Sequence, residues 1–205
     1  MGIYRDQVLP RLVDRSCAAR SLDPWRAAAT EGLTGRVVEI GFGSGHNAAF
    51  YPPEVERVLA VEPAAVSRKL ADRRMASSRV KVEHIGLDGQ SLPLDDDTCD
   101  SALSTFSLCT IPDARQALLE LRRVLRPGAR FHFLEHGLAT DAAVAAWQRR
   151  IEPWQLRLSG GCHLTRDPLE LVSEAGFVID HVEQRFAQGL KSWSWLSVGT
   201  ASKPR

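Results

Sequence analysis

The chain has 205 residues, of which 44% are hydrophobic and 25% are charged, a composition that suits one globular domain and excludes a disordered, fibrous or collagen-like protein. Its 26 Lys and Arg residues nearly balance its 25 Asp and Glu residues, which gives a net charge of +1. This charge provides no general attraction to nucleic acid or to an anionic membrane, and it argues against nucleic acid as a partner.

Residues 1–34 predict a helical lead-in, because apolar residues recur at helical spacing over residues 3–13. Charged residues interrupt the first twenty positions, so no apolar signal-peptide core is seen, and no apolar run reaches the roughly 20 residues of a membrane helix. We therefore expect no membrane span and a cytoplasmic location. The scattered cysteines predict reduced thiols rather than a disulfide framework.

Strand and helix patterns alternate from Gly35 onward. Short apolar or β-branched runs predict seven strands, over 36–40, 57–61, 80–85, 101–105, 129–134, 177–182 and 194–201. Helical spacing predicts helices that begin near His46 or cover 64–77, 114–125, 141–155 and 168–175. This alternation predicts an α/β fold, in which a mostly parallel sheet is covered by helices on both faces. A single domain over 1–205 is expected.

The first predicted strand ends in a glycine-rich turn, residues 41–45. Alternating glycines let the main chain approach a ligand closely, and a following helix would offer free N–H groups to it. Glu62 ends the second strand 21 residues after Gly41, where a carboxylate can accept hydrogen bonds from both ribose hydroxyls. His46 stands where the dinucleotide fingerprint has its third glycine, which disfavours a nicotinamide dinucleotide and leaves another adenosine ligand.

Five segments in the same order resemble class I S-adenosylmethionine-dependent methyltransferases of the type 11 family. They cover residues 37–45, 61–63, 88–94, 100–106 and 120–128. The resemblance implies a Rossmann-like fold with an antiparallel C-terminal strand. It also implies an enzyme whose cofactor is S-adenosyl-L-methionine and whose product from that cofactor is S-adenosyl-L-homocysteine.

The same resemblance implies which residues hold the cofactor. The loop glycines would bring backbone amides to its methionine part, and Glu39 would either hold its ammonium group or only order the adjacent turn. Asp88 would accept the adenine amino proton, with the Gly89 amide at a ring nitrogen, unless this pair is only a turn. The full cofactor set implied is Glu39, Gly41, Gly43, Gly45, Glu62, Pro63, Asp88, Gly89, Ser104 and Thr105.

The second half of the chain is similar to the methyltransferase-like seven group of alkyl-thiol S-methyltransferases, in residues 108–110, 133–136, 147–154 and 161–166. This resemblance implies a small hydrophobic acceptor, a thiol or a phenol, under a helical and loop cap over 137–170. Cys109 and Trp147 are expected to line the acceptor pocket. The alternatives are methylation of RNA or of a lipid headgroup, and a cofactor-binding module without catalysis. The oligomeric state is left open.

His136 and His163 are the candidate catalytic residues, because an imidazole with a pKa near 6.5 can take a proton from a thiol or an acidic phenol. Each could instead be a structural residue, since methyl transfer has no obligatory base. Four residues of strand separate His132 from His136 by about 13 Å, so the two cannot bind one ion. Cys162 and His163 lack a spaced partner pair, and the sequence predicts no metal site.

Overall fold

The computed structural model describes residues 2–76 and 78–205 and contains a seven-stranded sheet of order β3-β2-β1-β4-β5-β7-β6. The strands are β1 Gly35–Ile40, β2 Val55–Val61, β3 Lys81–Gly86, β4 Cys99–Thr105, β5 Leu125–His136, β6 Val178–Phe186 and β7 Trp195–Ser202. Only β7 runs against its neighbours, β5 and β6, among these strands. The predicted α/β fold, with its antiparallel C-terminal strand, is confirmed.

Seven α-helices accompany the sheet in the part of the chain that is described. They are α1 Leu9–Cys17, α2 Asp23–Thr30, α3 Ala65–Met75, α4 Ala114–Val124, α5 Ala142–Leu158, α6 Pro168–Glu174 and α7 Lys191–Ser194. A π-helical segment, Tyr4–Val8, precedes α1. Across residues 2–76 and 78–205, no helix has both the length and the apolar character that a bilayer crossing needs.

The helix expected after the glycine-rich turn is absent, and a single 3-10 turn over His46–Ala49 takes its place. Pro52 and Pro53 follow closely, and a proline disfavours helical backbone in the residue before it. The turn therefore cannot extend into a helix, and the expected helix dipole at the glycine-rich turn is not available. The other predicted helices lie within a few residues of their expected bounds.

From Val37 to Ile40 the strand β1 is buried on both faces, as its mostly β-branched apolar pattern predicts for a central parallel strand. Val38 and Ile40 pack with Leu118 of α4 in one core, while Val37 packs with Trp25 of α2 in the other. Alternate residues thus serve opposite faces of the sheet. Burial on both faces fixes the carboxyl end of β1 relative to the rest of the sheet, and so it fixes the position of the glycine-rich turn.

The chain changes direction in the sheet between β1 and β4, which lie side by side in parallel. From β1 it continues outward through β2 and β3, whereas β4 and β5 lie on the other side. In such sheets a crevice opens beyond the carboxyl ends of the two strands at this switch point. Residues that follow Ile40 and Thr105 are therefore placed to form a site.

Acid is expected to destabilise the fold through His132 in β5. This side chain is 1% exposed, and its Nδ1 lies 3.2 Å from the Ala29 carbonyl oxygen. Burial lowers the pKa of His132 to about 4, while its charged neighbours Arg130 and Asp180 act on it in opposite directions. Because the imidazole titrates near 6.5 in the unfolded chain, protonation favours unfolding as the pH falls from 6.5 towards 4.

Urea unfolding of the wild type should lose about 3 kcal/mol of stability to this one group over that pH interval. His132→Phe removes the group, so the stability of the variant should fall less steeply with acid, whatever its stability at pH 8. Equal slopes for the two proteins between pH 6.5 and 4 would contradict the assignment.

Candidate active site

The glycine-rich turn joins the carboxyl ends of three strands. Gly41, Gly43 and Gly45 all have positive φ, at 66°, 59° and 78°, a backbone region that other residues adopt only with strain. The Gly41 N–H donates to the carbonyl of Val61 at the end of β2. The hydroxyl oxygen of Ser107, just past β4, lies 3.0 Å from the Thr105 carbonyl oxygen and 3.3 Å from the Gly41 carbonyl oxygen. The contacts with Val61 and Ser107 therefore fix the predicted loop at the switch point.

Glu62 lies directly beneath this turn and is 7% exposed. Its carboxylate accepts hydrogen bonds of 2.8 Å from the backbone N–H groups of Gly43 and Ala64. Burial raises the pKa of Glu62, although these hydrogen bonds and the charge of Arg68 oppose the rise. Arg68 also donates to the carbonyl of Pro63 over 2.9 Å. The acid predicted to bind ribose is thus fixed against the loop that would bind methionine.

A buried polar network under the turn contains Glu39 and Thr105, two of the predicted cofactor residues. The Asn47 side-chain amide donates to Glu39 over 2.8 Å and to Thr105 over 2.9 Å, and Arg26 donates to Asn47 over 2.6 Å. Tyr51 donates to the second oxygen of Glu39. Burial raises the pKa of Glu39 to about 7, against the effect of these hydrogen bonds and of Arg26. These contacts favour loop ordering over ammonium binding for Glu39.

The N-terminal lead-in reaches the site through Asp14 of α1. Its carboxylate accepts a 2.5 Å hydrogen bond from Ser44 and lies 3.0 Å from His46 Nε2. Arg74 of α3 pairs with it at 2.8 Å. Asp14 carries no motif that could have marked it in the sequence. It nonetheless ties α1 to the glycine-rich turn and so covers one side of the site.

Asp88 and Gly89 follow β3 and lie beside the end of β1. A Cβ added to Gly89 would be 3.4 Å from Ile40, which shows how closely the two segments approach. One oxygen of Asp88 accepts from the backbone and side-chain N–H groups of Gln90. The structure therefore brings this predicted adenine-binding pair to the same edge of the sheet as the turn.

The turn after β4 is held by Glu135, which is not among the predicted site residues. This carboxylate is fully buried, accepts from the hydroxyl of Ser104 over 2.7 Å, and accepts from the backbone N–H of Ser107 over 3.0 Å. Between them Phe106 has a φ of 53°, a strained conformation for an aromatic residue. The sequence signal that could have indicated this role is the position of Glu135, an acid directly after the mostly apolar run over 131–134.

Cys109, His136 and Cys162 come together at this edge. The Cys162 Sγ lies 3.2 Å from His136 Nε2, and the two sulfurs and the imidazole nitrogen all lie within 4.8 Å of one another. His132 instead contacts the Ala29 carbonyl, as the strand spacing required. No sequence motif marks this cluster, because Cys162 lies on a loop that is distant in the chain from Cys109 and His136.

His163 and Trp147 lie in the segment predicted as a substrate cap. Glu152 of α5 accepts from His163 Nδ1 over 2.9 Å, from the Leu164 N–H over 2.7 Å and from the Thr165 hydroxyl over 3.0 Å. This carboxylate therefore fixes the loop after α5. Trp147, on α5, is 51% exposed, whereas Cys109 is 3% exposed. The two predicted pocket residues thus stand at the surface and in the interior, respectively.

Comparison with known proteins decides the family. Residues 38–133 match the family described as a methyltransferase domain. A protein of Homo sapiens named thiol S-methyltransferase TMT1B is 34% identical over 178 residues, which cover 82% of this chain and 71% of that protein. The chain belongs to the class I S-adenosylmethionine-dependent methyltransferases. The predictions of this family, of an enzyme and of its cofactor are thereby confirmed.

A second relative and a solved structure are also similar to this methyltransferase. The TMT1B of Rattus norvegicus is 33% identical over 167 residues, which cover 80% of this chain and 66% of that protein. The chain thus spans about two thirds of the length of these curated relatives. A methyltransferase of Haloferax volcanii, solved with the activator Trm112, superimposes with a TM-score of 0.73 at 17% identity and covers 98% of both chains. This likeness supports the fold.

Proposed function

We propose that this methyltransferase transfers the methyl group of S-adenosylmethionine to the sulfur of a small apolar thiol. The observation that carries the proposal is the similarity to two thiol S-methyltransferases across four fifths of the chain. The site is compatible with such an acceptor, because Cys109, His136 and Cys162 give its β4–β5 side soft, weakly polar groups. A phenol-like metabolite is the second acceptor class.

The reaction needs an acceptor sulfur in line with the sulfonium methyl group. The sulfur lone pair forms a bond to the methyl carbon while the bond between that carbon and the sulfonium sulfur breaks. The released electron pair stays on the cofactor sulfur, which leaves S-adenosylhomocysteine, and the thiol loses its proton. Holding both reactants in this geometry can supply several kcal/mol of the barrier reduction. The glycine-rich turn and Glu62 would hold the cofactor, and the turn after β4 would face the acceptor.

The two candidate bases differ in their surroundings. His136 Nε2 already contacts Cys162, whereas His163 is oriented through Nδ1 by the carboxylate of Glu152. A carboxylate at one ring nitrogen holds an imidazole in place and leaves the other nitrogen for proton transfer. We therefore propose His163, rather than His136, as the group that receives the thiol proton.

Methyl-labelled S-adenosylmethionine tests the proposed acceptor. We expect label in the thioether product of alkyl and aryl thiols, with one S-adenosylhomocysteine formed per methyl group, and far slower transfer to alcohols of the same carbon skeleton. Quinols, phenols, phosphatidylethanolamine vesicles and RNA form the rest of the panel. Label found only in RNA or phospholipid would overturn the proposal. Tight S-adenosylhomocysteine binding with no labelled acceptor would favour the module without catalysis.

A small-molecule partner follows from the same proposal. The cytoplasmic location, the single-domain organisation over 1–205 and the cap over 137–170 remain proposals alongside it. Trp147 and Cys109 are proposed to contact the acceptor from the outer and inner ends of its pocket.

A further inference from the structure

The cluster of Cys109, His136 and Cys162 has the composition and spacing of a metal site. Its three ligand atoms lie within 4.8 Å of one another, and His136 Nε2 is 3.2 Å from Cys162 Sγ. In a tetrahedral zinc site, bond lengths near 2.0 and 2.3 Å place such atoms about 3.6–3.8 Å apart. Small side-chain shifts would therefore suffice to bring all three atoms onto one ion.

The loop that carries Cys109 is held by contacts outside the cluster. Arg166 donates to the carbonyls of Leu108 and Ile111 over 2.5 and 2.6 Å, so it clamps the loop on both sides of Cys109. The His163 N–H donates to the Cys109 carbonyl over 2.8 Å, which joins this loop to the one that carries Cys162. These contacts fix the backbone of the loop that carries Cys109 and its position relative to the loop that carries Cys162.

The chemistry of the donors selects the ion. Two thiolates and one imidazole prefer zinc over magnesium or calcium, which take oxygen ligands. Two thiolate charges neutralise one Zn²⁺, which suits a site whose Cys109 and His136 are 3% and 8% exposed. Three protein ligands leave one tetrahedral position open, the arrangement of catalytic zinc sites. Cys162 is only partly buried, which gives that position a route to solvent.

We propose that Cys109, His136 and Cys162 bind one zinc ion, and that the open fourth position takes the sulfur of the acceptor. The second half of this inference rests on the proposed thiol methylation. The cluster is well placed for it, because Cys109 follows Ser107 by two residues and Ser107 contacts the Gly41 carbonyl. The acceptor sulfur would therefore be held at the edge of the sheet where the methyl donor is expected.

The charges and bonds balance in this scheme. Zinc binding releases one proton from each cysteine thiol. The acceptor thiol releases a third proton, to His163 or to water, as its sulfur enters the fourth position. Transfer of the methyl group turns this sulfur into a neutral thioether, which is a weak zinc ligand and leaves. The bond broken is that between the methyl carbon and the cofactor sulfur, and no oxidant or reductant is consumed.

Metal content tests the site without reference to activity. Protein purified under a non-chelating reductant should contain one zinc per chain, and cobalt exchanged into it should show thiolate-to-cobalt charge transfer and tetrahedral visible bands. Cys109→Ser and Cys162→Ser should each lose most of the bound zinc and weaken the charge-transfer band. The matched control is Cys17→Ser, which changes a cysteine outside the cluster and should keep both. Circular dichroism checks that each variant is folded.

The cobalt protein also tests the open position. Adding an acceptor thiol that is methylated in the labelling experiment should shift the visible bands, whereas the alcohol of the same skeleton should not. Absence of zinc and of cobalt bands in the reduced wild type overturns the site, as does recovery of a Cys109–Cys162 disulfide from that protein. Visible bands that do not shift when the thiol is added would overturn the assignment of the acceptor sulfur to the fourth position. A zinc-loaded protein that methylates no thiol supports the site while contradicting the proposed function.

Discussion

Glu62→Gln is expected to weaken the binding of S-adenosylhomocysteine by about 10- to 150-fold, since a hydrogen bond to a charged acceptor contributes about 1.5–3 kcal/mol. The carboxylate is buried beneath the glycine-rich turn and fixed by the N–H groups of Gly43 and Ala64. A glutamine keeps the shape of the side chain but offers one acceptor oxygen instead of two. Isothermal titration calorimetry measures the loss, and Glu56→Gln on the same strand is the matched control.

Loosening of the turn could produce the same loss indirectly, and a double-mutant cycle separates the two causes. If Glu62 holds the ribose, removing the 2′-hydroxyl from the ligand should cost the wild type much more affinity than it costs Glu62→Gln. Additive losses from the two changes would show that Glu62 acts on the turn and not on the ribose.

Gly41→Ala should lower both the stability of the protein and its affinity for the cofactor. At a φ of 66°, an added Cβ would lie 1.8 Å from the Ser107 hydroxyl oxygen and 2.5 Å from the Ser107 Cβ. The variant therefore pays about 1–2 kcal/mol for left-handed backbone and a further 1–3 kcal/mol for overpacking. Displacing the turn by about 1 Å should also reduce the rate of methyl transfer by roughly 100-fold. Urea unfolding measures the stability, calorimetry measures the affinity, and transfer of the methyl label measures the rate.

Gly43→Ala is the matched control for this steric argument. Gly43 has a similar φ of 59°, but an added Cβ would meet nothing nearer than the Gly41 carbonyl oxygen at 3.7 Å. Gly43→Ala should therefore lose only the roughly 1–2 kcal/mol that left-handed backbone costs, without the cost of overpacking. Ser107→Gly introduced beside Gly41→Ala should recover part of the loss, because it removes both clashing atoms. Equal destabilisation by the two alanine variants, or no recovery, would refute the contact.

Glu62→Gln and Gly41→Ala test the contacts that hold the glycine-rich turn on its two sides. Glu62 reaches the turn from β2, and Ser107 reaches it from the segment after β4. The turn is thus braced by the strands on both sides of β1. We expect this bracing to preorganise the backbone amides for the cofactor, so that little ordering entropy is lost on binding.

Local sequence determined the strands, most helices and the order of the cofactor motifs. The mostly apolar run Val37–Ile40, which only Glu39 interrupts, is buried on both faces, as this pattern predicts for a central parallel strand. The glycine-rich turn could also be predicted from the sequence. Gly41, Gly43 and Gly45 have positive φ values, which other residues adopt only with strain. The helix expected near His46 was wrong because the prolines that follow it stop the turn.

Tertiary structure alone decided the contacts between segments distant in the chain. Asp14 and Cys162 carry no local pattern that indicates a role, and Glu135 is marked only by its place at the end of an apolar run. Each nonetheless contacts residues at the carboxyl edge of the sheet. Cys109 and Cys162 are separated by more than fifty residues, and only the packing of α5 and its following loop brings them together. Periodicity records which face of an element is buried, whereas the partner across that face depends on how the whole sheet assembles.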